Sequence, residues 1–201
     1  MKCILIANGE YHNEPIIKEP NDLLIAVDGG YNYIQDKSLI DLIIGDLDSI
    51  NVEDTNIPTI IYPTVKDFTD LDLAVTEAKS RGYHDFLIYG ALGKRLEHSI
   101  ANIQLLHKHQ DLNIKLIDQD LVCFALHNET YHVDKCQFVS VFSLTNEAKV
   151  TIHGLKYDIE NQILTNALPL GIDNEFEGTK QKDAYIKVIS GTILVMLRYN
   201  K

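Results

Sequence analysis

Three sets of residues carry side chains suited to chemistry on phosphates. The first set is Asp28-Gly29-Gly30 and Gly45-Asp46-Leu47-Asp48-Ser49. Asp28 closes the apolar run Leu23–Val27, and Asp46 and Asp48 follow the run Leu42–Ile44. Crowded carboxylates repel one another and are costly to desolvate. A divalent cation removes that cost, and Mg2+ favours one or two carboxylates together with substrate phosphates and waters. Asp46 and Asp48 stand two apart, so both point the same way along an extended segment. The alternative is a turn whose Asp residues cap the next helix. The second segment, Lys66-Asp67-Phe68-Thr69-Asp70, falls at a predicted helix start, where free N–H groups and a partial positive charge suit a phosphate. Its own acids compete for those groups, and at least one of Asp67, Thr69 and Asp70 is expected to be a simple N-cap. Lys66 can pair with a phosphate or lie solvated. The third segment, Gly90 to His98, runs from two glycines into a helix with Arg95 in its first turn. A cation there opposes the helix dipole, and a charge so placed can stabilise a transferring phosphoryl group. His98 and Asn102, four apart, share one helix face.

These segments need a scaffold that delivers them to one edge. Short runs rich in Ile, Leu and Val without strict alternation, Cys3–Ala7, Leu23–Val27, Leu42–Ile44, Thr59–Tyr62, Phe86–Tyr89 and Ile114–Ile117, read as strands buried on both faces of a parallel sheet. Between them Leu71, Ala74, Val75 and Ala78 form one helical stripe, with Thr69 and Asp72 at capping-box spacing and Gly82 at the C-terminus. Leu96, Ile100, Ile103 and Leu106 form a second stripe. Alternating strands and helices predict βαβ units, and ligands then bind at the carboxyl ends of the strands. From about residue 120 the separators become Asn, Asp, Gly and His. Leu121–Leu126, Thr130–Val133, Phe138–Leu144, Lys149–Ile152, Tyr185–Ile189 and Thr192–Arg198 read as antiparallel strands, with a tight hairpin at Ser190-Gly191. The expected division is an α/β domain over 1–122 and an all-β domain over 123–201.

Composition narrows the function further. With 18 Lys+Arg against 29 Asp+Glu, a formal charge of −11, the chain lacks the basic face that nucleic-acid binders usually carry. A metal ion can still supply the positive charge for a small phosphorylated ligand. Eight of the acids and a single Lys lie between Asp41 and Asp72. Three scattered cysteines, Cys3, Cys123 and Cys136, suit a reducing compartment rather than a disulfide framework. No run is long enough to span a bilayer, so a soluble, cytoplasmic protein with no membrane partner is expected. No P-loop, dinucleotide fingerprint or nucleophile elbow is present. Carboxylates, an implied metal, an Arg and a Lys point to phosphoryl-type transfer by positioning and electrostatics.

In order and spacing these motifs resemble those of thiamine pyrophosphokinases, as do Gly154-Leu155-Lys156-Tyr157 and Asp173-Asn174-Glu175-Phe176 downstream. The resemblance covers nearly the whole chain. It implies a three-layer α/β/α domain with a mostly parallel sheet that binds ATP and Mg2+. It also implies a C-terminal β-sandwich and a homodimer with active sites at the subunit interface. The implied reaction moves the β,γ-diphosphate of ATP to the thiamine hydroxyl and releases AMP. By motif position, Asp46, Asp48 and Asp70 would serve the Mg2+-ATP site with Asp28 and Gly29 beside them. Lys66, Thr69, Arg95, His98 and Asn102 would face the nucleotide, and Asp173, Asn174 and Glu175 the thiamine. Asp46, Asp48, Asp70 and Arg95 would be catalytic; the alcohol needs a base, and a nearby Asp such as Asp70 can serve. The chain departs from the family pattern at Lys94, at Glu97 where Asp is usual, and at Asp173 where Ser is usual. The alternatives are a diphosphokinase for another hydroxymethyl heterocycle such as a pterin, or a non-catalytic sensor of nucleotide or thiamine diphosphate.

Overall fold

The computed structural model describes residues 1–13, 15–46, 56–63, 65, 67–168, 170–176 and 183–199. The chain divides into two compact units, one of residues 1–105 and 111–119, the other of residues 106–110 and 120–201.

Among the described residues the first unit has the strands β1 (Lys2–Ile6), β2 (Leu23–Val27), β3 (Leu42–Gly45), β4 (Thr59–Ile61), β5 (Asp85–Tyr89) and β6 (Asn113–Asp118). They pair in the order β6-β5-β1-β2-β3-β4, and every pairing is parallel. Ile6 stands opposite Ala26 on one side and Tyr89 on the other. All five residues of β2 are buried, as a continuous apolar run in a parallel sheet requires. The chain runs outward from β1 to β4 and then returns to β5 beside β1. The strand order therefore reverses at β1, and a crevice forms at the carboxyl ends there.

Helix α1 (Asp70–Ser80) buries Leu71, Ala74, Val75 and Ala78, the predicted stripe. Thr69 Oγ1 accepts the Asp72 N–H at 3.2 Å, and Gly82 follows the helix with φ +89°. Helix α2 (Leu96–Lys108) corrects the second stripe. Leu96 and Ile100 are 73% and 49% exposed, while Asn102, Leu105, Leu106 and His109 are buried. The inward row is thus turned from the expected one and begins with an amide.

The second unit has β7 (Leu121–His127), β8 (Thr130–His132), β9 (Phe138–Ser143), β10 (Glu147–His153), β11 (Ile159–Thr165), β12 (Gly171–Glu175), β13 (Tyr185–Ser190) and β14 (Thr192–Arg198). Antiparallel pairing gives the orders β12-β9-β14-β7 and β11-β10-β13-β8. Phe124, Val139, Val150, Ile186 and Val195 contribute to its core. The expected hairpin at Ser190-Gly191 is a corner between sheets: β13 pairs with β10 and β8, whereas β14 pairs with β7 and β9. Gly191, with φ +79°, supplies the left-handed backbone for this change of direction. Among the described residues no helix is long and apolar enough to cross a membrane.

Candidate active site

A cavity of about 300 Å3 opens at the carboxyl ends of the parallel strands. Ala7, Asn8 and Gly9 line it after β1, and Val27 and Asp28 line it at the end of β2. Thr69, Asp70 and Leu71 enter from the start of α1, and Gly90, Ala91, Gly93, Lys94 and Arg95 follow β5. His98 and Asn102 close it from α2. Six of the sequence-predicted residues, Asp28, Thr69, Asp70, Arg95, His98 and Asn102, therefore meet around one space. Asp48 and Lys66 lie outside the described residues.

The acidic side is tightly interlocked. Asp28 Oδ1 accepts the Asp46 N–H at 3.2 Å, and the Asp28 and Asp70 carboxyls share a hydrogen bond. Burial, followed by repulsion from Asp70 and Asp46, pushes the Asp28 carboxyl up to about 7, because each effect disfavours a further negative charge. Gly45 makes this geometry possible, since a Cβ there would overlap Asp28 Oδ1. Gly29 is buried in the 3-10 turn after β2, and its Cβ would lie 2.5 Å from the Asn8 amide. Among the described residues no three His, Cys, Asp or Glu side chains form a metal-binding group. The crowding of Asp28, Asp46 and Asp70 nonetheless has the chemistry of a hard-cation site, because a divalent ion would relieve the repulsion that raises Asp28.

The opposite wall is held by amide and cationic groups. Asn102 is 7% exposed and donates to the Ala91 carbonyl at 2.6 Å, which fixes the glycine-rich turn. Arg95 Nε and a terminal guanidinium nitrogen both lie 2.7 Å from Glu97 Oε1. A hydrogen bond from its own backbone N–H, and then one from Arg95, hold the exposed Glu97 carboxyl below its ordinary range. Asn8 and Lys94 also line the cavity, and the residue-by-residue reading did not give them a site role. The usable signal was position: Asn8-Gly9 follows β1 much as Asp28-Gly29 follows β2, and Lys94 interrupts a glycine-rich turn beside Arg95.

Asp173, Asn174 and Glu175 belong to the second unit, on β12. Asn174 is 6% exposed; its Oδ1 accepts the Tyr157 N–H at 3.0 Å and its Nδ2 donates to the Tyr157 carbonyl at 2.8 Å. Lys156 Nζ meets Glu175 Oε1 at 2.6 Å. The fold thus joins Gly154–Tyr157 to Asp173–Phe176. Asp173 is exposed, with φ +52°, at an irregularity in the β12–β9 register.

Comparison with known proteins places the chain in a family. The model of the thiamin pyrophosphokinase catalytic domain matches residues 16–117, and that of the thiamin pyrophosphokinase vitamin B1 binding domain matches residues 126–193. The chain belongs to the thiamin pyrophosphokinase family. The Bacillus subtilis thiamine pyrophosphokinase is 30% identical over 98% of this chain and 99% of its own. The fold is that of the B. subtilis thiamine pyrophosphokinase crystal structure, with a TM-score of 0.87, 24% identity and full coverage of both chains. A thiamin pyrophosphokinase family protein from Enterococcus faecalis superposes with a TM-score of 0.82 at 27% identity, again over both whole chains. As a member of this family the chain is an enzyme, a transferase of the kinase type.

Proposed function

We propose that the chain moves the β,γ-diphosphate of ATP to the hydroxyl of thiamine, giving thiamine diphosphate and AMP. The observation that carries this reading is the convergence of Asp28, Asp70, Thr69, Arg95, His98 and Asn102 on one cavity at the reversal of strand order, within the span that matches the family's catalytic domain.

Asp46, Asp48 and Asp70 would hold Mg2+, with Asp28 adjoining them. When bound, the ion neutralises phosphate charge and favours departure of AMP. The protein's own groups do the remaining work. Thr69 and the N-terminus of α1 receive phosphate oxygens. Arg95, turning from Glu97, faces the charge that develops near the α,β-bridge. His98 and Asn102 border the nucleotide, and Gly29 and Lys66 would serve beside them. The thiamine hydroxyl oxygen bonds to the β-phosphorus as the bond from that phosphorus to the α,β-bridging oxygen breaks. Asp70 accepts the hydroxyl proton, and AMP leaves with the bridging oxygen.

In this reading residues 1–122 form a three-layer α/β/α domain for ATP and Mg2+. Residues 123–201 form a β-sandwich that binds thiamine through Asp173, Asn174 and Glu175 and carries the dimer contact. Exposed Ile163, Leu168, Leu170 and Ile172 in the second unit support a homodimer with active sites at the subunit interface. The burial of Cys3, Cys123 and Cys136 as thiols supports a cytoplasmic setting. The test is product analysis with ATP, Mg2+ and thiamine. AMP and thiamine diphosphate in equal amounts support the reading. AMP released only with a pterin alcohol moves the acceptor, and no turnover with any alcohol overturns the enzyme assignment of the cavity.

A further inference from the structure

Lys94 adopts a backbone conformation that costs a bulky residue energy. Its φ is +50°, the left-handed region that glycine enters freely and other side chains enter at a penalty. It lies between Gly93 and Arg95 in the turn after β5 and lines the cavity. Its ammonium donates to the Asn8 carbonyl at 3.1 Å, to Asn8 Oδ1 at 3.4 Å and to the Tyr33 hydroxyl. Tyr33 in turn donates to the Gly9 carbonyl at 2.9 Å. The ammonium also stands 5.0 Å from the Tyr33 ring centroid.

Two features separate this lysine from its neighbour. Arg95 is paired with Glu97, so its charge is already compensated. Lys94 donates to neutral oxygens, and it lines the same cavity as Asp28 and Asp70. The contacts are also at the surface, since Asn8 and Lys94 are both exposed. Exchanging exposed hydrogen bonds with water is cheap, so Lys94 can leave Asn8 and Tyr33 for a stronger acceptor without orphaning a buried group. A phosphate oxygen is such an acceptor.

We propose that Lys94 is a polyphosphate-binding residue of this chain, its ammonium turning from Asn8 and Tyr33 to the phosphate tail of the nucleoside triphosphate. The left-handed turn after β5 directs the side chain over the cavity rim, and the strain is retained because it places a cation there. The assignment rests on the nucleotide reading of the cavity given above and adds the residue that reads the tail's charge.

The test is calorimetric binding of ATP with Mg2+, without thiamine, to the whole chain and to Lys94→Gly and Lys94→Arg. Glycine fits the φ of +50° without strain, so Lys94→Gly removes the ammonium while keeping the turn. The expected result is a Kd for ATP raised about tenfold or more, the loss of one charge-assisted contact. The melting temperature should be undiminished and the salt dependence of binding weaker. Lys94→Arg should recover most of the affinity. A Kd for Lys94→Gly within twofold of the parent overturns the proposal. So does an equal loss in both variants accompanied by a lower melting temperature, which would make Lys94 a structural tie. A parent chain that binds ATP but yields no AMP refutes the diphosphotransfer reading, and the same Kd comparison still decides Lys94. A parent that binds no ATP refutes both.

Discussion

Replacing Asp28 by Asn should stabilise the metal-free protein, and only above mildly acidic pH. The Asp28 carboxyl is raised from an ordinary value of 3.8 to about 7 by burial and by Asp70 and Asp46. The folded state therefore favours the protonated form. Below about pH 4 the group is neutral in folded and unfolded chains alike and costs nothing. Between about pH 4 and 7 the unfolded chain ionises first, so the folded state loses ground, and above about pH 7 the cost is constant. At about 1.4 kcal/mol per pH unit the displacement bounds the cost near 4 kcal/mol. Asp28 is only part-buried, so screening by water reduces the expectation to about 2 kcal/mol. Asparagine retains an oxygen for the Asp46 N–H and gains an N–H for Asp70. The assay is urea unfolding of parent and Asp28→Asn in chelator from pH 4 to 8.5. The variant should be more stable by about 2 kcal/mol at pH 8 and equal to the parent near pH 4. A pH-independent difference, or a less stable variant at pH 8, would refute the reasoning.

Other perturbations test neighbouring parts of the site. Gly45→Ala places a Cβ on Asp28 Oδ1; it should destabilise the fold by about 1–3 kcal/mol and lower turnover, read by unfolding and by AMP release. Asn102→Ala leaves the buried Ala91 carbonyl without its 2.6 Å donor, at a cost of about 1–3 kcal/mol, and should raise the KM for ATP more than that for thiamine. Asn174→Ala frees Tyr157 from two hydrogen bonds and should raise the KM for thiamine while leaving ATP binding, measured separately, unchanged.

The parallel half of the fold was legible because its signals are local. Leu23–Val27 is apolar throughout since it is buried throughout, and the Thr69–Asp72 cap spans one helical turn. Polar strands were not legible: β11 reads Ile-Glu-Asn-Gln-Ile-Leu-Thr and is mostly exposed, so no apolar period marks it. Ser190-Gly191 announced a turn correctly, but the choice between pairing β14 with β13 or sending it to the other sheet depends on β7 and β9, far away in sequence. Leu96 and Ile100 gave a helical period that the fold leaves on the surface, because Asn102 is needed inward to hold Ala91. Asp28 and Asp46 were visible as strand-end residues, and Asp70 as the start of a helix. The link between Lys94 and Asn8, 86 residues apart, exists only once β1 and β5 lie side by side.

In the proposed reaction this cavity transfers a diphosphate in one step. Following label from ATP carrying 32P at the α or the γ position, with thiamine and Mg2+, tests that step. The expected result is γ-label in thiamine diphosphate and α-label in AMP, in equal amounts from the first turnovers. Label released as inorganic phosphate, or ADP formed together with thiamine monophosphate, would contradict it.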